Sequence, residues 1–153
     1  MLGDNSDQWH GLIFGMTCRI YPDPDRCNPR PLWAALDDLG LQQPRMVGWW
    51  DAASPVLVHT VGGNWDVRAT LFVAGDSFAV AVANFSPRKA TFKISFASSR
   101  LAVLGLPRAK RMRLRAPPIN GFQVAGTWGV GGVLTLAGKG TGRKEGYLLQ
   151  LLP

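Results

Sequence analysis

Past Asp51 the apolar residues fall into short runs separated by turn-forming residues, and this texture holds to the C-terminus. Val56-Leu-Val-His-Thr60, Val67 to Val73 and Phe78 to Asn84 read as strands, with Gly75-Asp76 marking a hairpin turn between the last two. Ala90-Thr-Phe-Lys-Ile-Ser-Phe96 alternates strictly: Phe92, Ile94 and Phe96 share one face, and Thr91, Lys93 and Ser95 the other. Arg111 to Arg115, Gly121 to Ala125, Val133 to Leu136 and Tyr147 to Leu152 supply further strands. Many short strands with frequent turns are expected to close as an antiparallel β-sandwich, so the fold class is mainly β. The 18 glycines and 11 prolines, concentrated between the apolar runs, agree with that expectation. A chain of 153 residues with 46% hydrophobic content is about one domain with ample core.

Before Asp51 the texture differs. Leu12-Ile-Phe-Gly-Met-Thr17 is a continuous apolar run, expected to be a strand buried on both faces. Pro22, Pro24, Pro29 and Pro31 make the next stretch a loop, and Pro31 suits the first turn of a helix. Leu32, Trp33, Leu36 and Leu39 recur at helical spacing, with Gly40 as the stop. Arg45-Met-Val-Gly-Trp-Trp50 is then expected as a second buried strand. Strand, helix, strand is a βαβ unit, and one such unit cannot bury both faces of a parallel sheet. It reads as a piece of something larger.

Net charge also divides the chain. Residues 1–51 hold seven aspartates against four arginines, a balance of −3, so the total of +7 leaves +10 for the remainder. Much of the excess lies in Arg108, Lys110, Arg111, Arg113 and Arg115, and a second group comprises Lys139, Arg143 and Lys144. Such tracts attract acidic partners. In Arg111-Met-Arg-Leu-Arg115, however, the arginines alternate with apolar residues, as on the solvated face of a strand. Without a nucleic-acid-binding signature beside it, this charge does not imply a nucleic-acid partner. No run reaches the ~18 apolar residues of a membrane span. Met1 to Asp7 lacks the basic start and apolar stretch of a signal peptide, so no compartment can be assigned.

Several residues carry chemistry. Cys18 and Cys27 are too widely spaced for a C-x-x-C metal site; they either close a small loop or remain two thiols. Neither metal nor cofactor is expected. Asp37-Asp38 sits in the last turns of the expected helix, where a carboxylate pair is ordinarily solvated. Paired glycosidase carboxylates must instead flank the scissile bond, ~5–10 Å apart. The glycine clusters Gly126 to Gly132 and Gly138 to Gly142 lack phosphate-loop spacing and read as hairpin turns. His10 and His59 are the only imidazoles. His10, next to Trp9 and just ahead of a buried run, suits a structural or substrate-orienting role better than that of a general base. Trp49-Trp50-Asp51 is the strongest site motif: indole faces stack on sugar C–H faces, and a carboxylate accepts hydrogen bonds from hydroxyls. The competing reading packs at least one tryptophan into the core, since neighbours on a strand point to opposite faces.

These residues, taken together, carry a resemblance. His10-Gly-Leu-Ile-Phe-Gly-Met-Thr17, Pro29-Arg-Pro-Leu-Trp33, Asp37-Asp-Leu-Gly40 and Met46-Val-Gly-Trp-Trp-Asp51 resemble the end of the barrel in glycoside hydrolase family 123-like proteins. Ser54-Pro-Val56, Asp66 to Val73, Ala116-Pro-Pro-Ile119, Phe122-Gln123 and Gly146-Tyr-Leu-Leu149 are similar to the sandwich that follows. Trp65 departs from the pattern, where a polar turn residue is expected. The resemblance implies a short βαβ remnant of a (β/α) barrel over residues 1–52 and a β-sandwich domain over 53–153. It also implies a glycan as partner and no complete catalytic set, the catalytic residues being unassigned. Strand ends are where barrel sites are built, so the residues expected to hold glycan are His10, Arg19, Trp49, Trp50 and Asp51. The alternative is a non-enzymatic interaction module that meets an acidic partner through its basic strand.

Overall fold

A computed structural model describes residues 7–17, 28–63, 66–105, 112–138 and 146–152. The helices are α1 (Asp7–Leu12), α2 (Arg30–Asp38) and α3 (Ser98–Val103). The strands are β1 (Arg45–Val47), β2 (Val56–Val61), β3 (Val67–Ala74), β4 (Ser77–Asn84), β5 (Ala90–Phe96), β6 (Arg113–Ala116), β7 (Gly126–Gly129), β8 (Val133–Leu136) and β9 (Gly146–Leu152). They form a six-stranded sheet in the order β1-β3-β4-β9-β6-β7 and a three-stranded sheet in the order β2-β5-β8. Every pairing between these strands is antiparallel. The protein is therefore mainly β and consistent with a β-sandwich, as its alternating runs require. The Gly75-Asp76 hairpin forms as expected, with Ala74 opposite Ser77.

The inner core lies between the sheets. Val67, Ala69 and Leu71 of β3, Val80 and Val82 of β4, and Leu149 and Leu151 of β9 meet Phe92, Ile94, Leu134 and Leu136 of the smaller sheet. The opposite face of the large sheet is also buried. Ala79, Ala81 and Ala83 of β4, Phe72 of β3 and Leu148 of β9 pack with Trp9, Leu12, Ile13, Leu32, Ala35 and Leu39 from the N-terminal segment. Covered on both sides, β4 is completely buried from Ala79 to Ala83. Its alternation of alanine and valine reflects two neighbours at different distances. Small side chains let α1 come close to the sheet, while branched ones fill the wider gap between the sheets. One close approach is at Gly146, where an added Cβ would lie 2.5 Å from both Trp9 Cβ and the Val82 carbonyl oxygen.

The N-terminal segment differs from the sequence expectation. No strand forms over Leu12 to Thr17; α1 ends at Leu12 and a turn follows, with Phe14 N–H bonded to Gly11 O and Gly15 N–H to Leu12 O, both at 2.9 Å. Trp9, Leu12 and Ile13 stand at i, i+3 and i+4, so a helix turns all three onto the sheet, whereas a strand would split them between two faces. The second expected strand is short, and β1 pairs antiparallel with β3, with Met46 opposite Phe72. The order found in place of a parallel βαβ unit is helix, helix, edge strand. The expected helix does form as α2, and Gly40 (φ +68°) ends it with its N–H on Asp37 O.

Two further corrections lie near the C-terminus. Gly121 to Ala125 makes only an isolated bridge, Ile119 to Gln123. The Gln123 carboxamide leaves the ladder to bond the Leu148 N–H and carbonyl and the Pro117 carbonyl, at 2.7–3.0 Å. Gly126 to Gly129, expected as a turn, is instead strand β7 on β6. Among the described residues, no helix is long and apolar enough to cross a membrane.

Candidate functional site

Two turns define the site. After β1 the chain bends, with Asp51 N–H donating to Gly48 O at 2.9 Å, so Trp49 and Trp50 lie in a turn and not on a strand. The second turn is the one that ends α1 and carries Phe14. Thr70, wholly buried on β3, ties them together: its hydroxyl donates to Ile13 O at 2.7 Å and accepts Trp49 N–H at 3.3 Å. That bracing brings three rings together. Phe14 stacks on Trp50 at 5.6 Å between centroids with 14° between planes, and Trp49 meets both edge-on, at 6.2 Å and 5.8 Å. These are the offset and T-shaped geometries that aromatic quadrupoles favour.

The cluster continues inward. The Arg68 guanidinium lies 3.9 Å from the Trp49 ring centroid and 5.0 Å from that of Phe85, a cation held between two π faces. Asp66 fixes its orientation by accepting both Nε–H and a terminal N–H, at 2.6 Å and 2.8 Å. Phe85 in turn stacks on His10 at 4.4 Å. His10 is buried, and its Nε2–H donates to the Asn84 carbonyl at 3.0 Å. Asn84 is itself fully engaged: its amide donates to Arg88 O and Ala137 O, and its side-chain oxygen accepts from Ser86 N–H and Oγ–H.

The five residues expected at the site thus have different fates. Trp49, Trp50 and Asp51 share one turn, and His10 stands at the far end of the ring cluster. Arg19 lies outside the described residues, as do Cys18, Cys27 and Trp65. Trp50 is the open member, with 52% of its surface exposed, and its ring rests on Gly48, where a Cβ would clash at 2.5 Å. Trp49 is half-buried beneath Arg68, so it braces the cluster. Asp51 is exposed, and its Oδ1 accepts Ala53 N–H at 2.7 Å, which holds the turn. Asp37 and Asp38 are exposed on α2. His59 is exposed as well, within 2.8 Å of Ser95 Oγ.

Phe14, Arg68 and Phe85 were not singled out from the sequence. Phe14 is hidden in a run that reads as a strand, and nothing local to Arg68 or Phe85 signals that three distant segments meet there. What the arrangement offers chemically is an apolar π surface at Phe14 and Trp50, braced from below by a charged and hydrogen-bonded scaffold. The Asp66 carboxylate is committed to Arg68 through both oxygens, and Asp51 Oδ1 accepts a bond from its own turn. Among the described residues, no group of three or more His, Cys, Asp or Glu side chains is placed to hold a metal ion.

A second concavity, about 210 Å³, shares no residue with this surface; Gln123, Val124, Trp128 and Tyr147 line part of it. Burial pushes the Tyr147 hydroxyl above its ordinary pKa, and that hydroxyl donates to Thr135 O at 3.1 Å. With Gln123 and Tyr147 both bonded to the backbone, the concavity has fewer polar groups free to orient a ligand than its size suggests.

Compared with known proteins, residues 28–151 match the family model described as glycoside hydrolase 123, C-terminal domain. No curated protein matches the chain.

Proposed function

Because the chain belongs to the glycoside hydrolase 123 C-terminal domain family, we propose that it supports or contacts glycan through the Phe14–Trp50 surface and does not cleave glycan alone. The observation that carries this reading is Trp50 itself: a half-open indole, stacked on Phe14 and held on a hydrogen-bonded turn. A ring positioned before its ligand arrives loses little conformational freedom on binding. The engagement of both Asp66 oxygens by Arg68 supports a contacting role over a hydrolytic one, since paired glycosidase carboxyl groups flank the scissile bond. Asp51 Oδ1 accepts the Ala53 N–H, which holds the turn, while the exposed second oxygen of the carboxylate faces solvent, where it can accept a hydrogen bond from a sugar hydroxyl.

The test is oligosaccharide binding by the folded chain. Trp50→Ala should weaken binding by about tenfold or more, ~1.4 kcal/mol, while Trp33→Ala, exposed on α2, should change it little. Binding that survives Trp50→Ala unaltered rules out the contact.

A second reading has its own observation. Arg113 and Arg115 are both exposed on β6 while Leu114 and Ala116 are buried, so a basic face is presented to solvent; Arg108, Lys110 and Arg111 lie outside the described residues. An acidic partner held there would be released steeply by salt, whereas stacking on sugar responds little to ionic strength.

A further inference from the structure

Among the described residues, the strand β2 occupies one edge of the three-stranded sheet and pairs only with β5. Ala97 N–H donates to Pro55 O, which fixes the alternation: the odd-numbered residues of β2 direct their backbone groups toward β5, and Val56, Val58 and Thr60 direct theirs to the open edge. Among the described residues, no backbone hydrogen bond outside the sheet ladders uses these groups. Unpaired edges of this length are ordinarily blunted by charge, proline or brevity. The other edges follow that rule. β1 has three residues and includes Arg45, β7 has four, two of them glycine, and the four-residue β8 gives its Thr135 carbonyl to Tyr147. In contrast, β2 runs for six residues, Val-Leu-Val-His-Thr-Val, without proline or formal charge. On its outer face Leu57 and Val61 are exposed, at 37% and 49%.

We infer that β2 is a self-pairing edge that adds, antiparallel, to β2 of a second copy of this chain. A two-fold axis perpendicular to the sheet at His59 sets Val58 opposite Thr60 of the second copy as a hydrogen-bonded pair, using the groups that the open edge presents. The same register places Leu57 of each copy against Val61 of the other, directly opposite on the outer face. Two exposed apolar pairs are covered at once, and a continuous six-stranded sheet results from two sheets of three. The uncharged, self-complementary sequence of β2 favours a second copy over a charged peptide.

Sedimentation equilibrium of the full chain at about 0.1 mM tests it. The wild type should form dimers. Leu57→Lys and Val61→Glu should each weaken dimerisation by about tenfold or more, while Thr127→Lys, exposed on β7 of the other sheet, should leave it unchanged. The double variant Leu57→Lys/Val61→Glu should regain dimers, because the register sets the new ammonium group of each copy against the new carboxylate of the other. Circular dichroism that matches wild type establishes that each variant is folded. A wild type that stays monomeric, or a dimer indifferent to both single changes, overturns the pairing; single variants that dissociate without rescue in the double overturn its register.

Discussion

The two faces of the six-stranded sheet are buried by different means. On the inner face, branched and aromatic side chains from two sheets interdigitate: Val80, Val82 and Leu149 from one, Phe92 and Ile94 from the other. On the outer face the sheet contributes mostly alanines, and the bulk comes from Trp9, Leu12, Ile13 and Leu32 of the helical segment. A sheet pressed against a sheet is filled by both partners. A sheet pressed against a helix becomes smooth where the helix comes closest, and the helix brings the large residues. The difference also separates tasks: the inner face holds the strands together, while the outer layer positions the rings around Trp50.

The largest expected effect asks whether the outer layer is as integral as the inner one. Trp9→Ala and Phe92→Ala each remove a buried aromatic and should each cost about 3–5 kcal/mol. Urea unfolding followed by both fluorescence and circular dichroism should then show one shared transition. If Trp9→Ala left the midpoint unchanged while proteolysis began near residue 40, the helical segment would be a separable strap. A smaller effect is expected at Gly146, where the two layers touch. Gly146→Ala drives a methyl between Trp9 and the Val82 carbonyl and should destabilise by roughly 1–3 kcal/mol, with near-ultraviolet dichroism of the tryptophans altered. A thermal scan that matches wild type would mean that α1 can shift at little cost.

The smallest effect belongs to the edge of the inner face. Burial raises the Tyr147 pKa above its ordinary value of 10.0, so the folded state holds this proton more tightly than the unfolded chain does. The stabilisation is fully present below pH about 10 and is lost as pH rises through the folded-state value. Chemical denaturation measured at increasing alkaline pH should therefore show stability falling, and Tyr147→Phe should flatten that part of the fall. An unchanged slope in the variant would assign the fall to other groups.

Legibility tracked the same division between faces. The strands of the sandwich were readable because period-two alternation is a local signal, and the structure places β2, β3, β4, β5, β8 and β9 close to their expected bounds. The run Leu12 to Thr17 misled because continuous apolar character does not separate a strand from a buried helix end; the spacing of Trp9, Leu12 and Ile13 was the discriminating signal. α3 was not read at all, since six residues with one buried leucine carry too little periodicity. At the site, Trp49, Trp50 and Asp51 were visible as a motif. Their partners Phe14, Arg68 and Phe85 were not, because the cluster joins segments brought together only by the Thr70 bridge and the β1–β3 pairing.

The amino-acid sequence alone determined the antiparallel, mainly β character of the chain, the α2 helix with its glycine stop, and the concentration of aromatics around residue 50, because each is set by near-neighbour spacing. Only the tertiary structure decided that the N-terminal segment is a helical cover and not a parallel strand, that Trp49 lies beneath Arg68 while Trp50 faces solvent, and that, among the described residues, β2 stands at the edge of its sheet. Those outcomes depend on which surfaces remain to be buried once the sheets have formed, and no local pattern encodes that remainder.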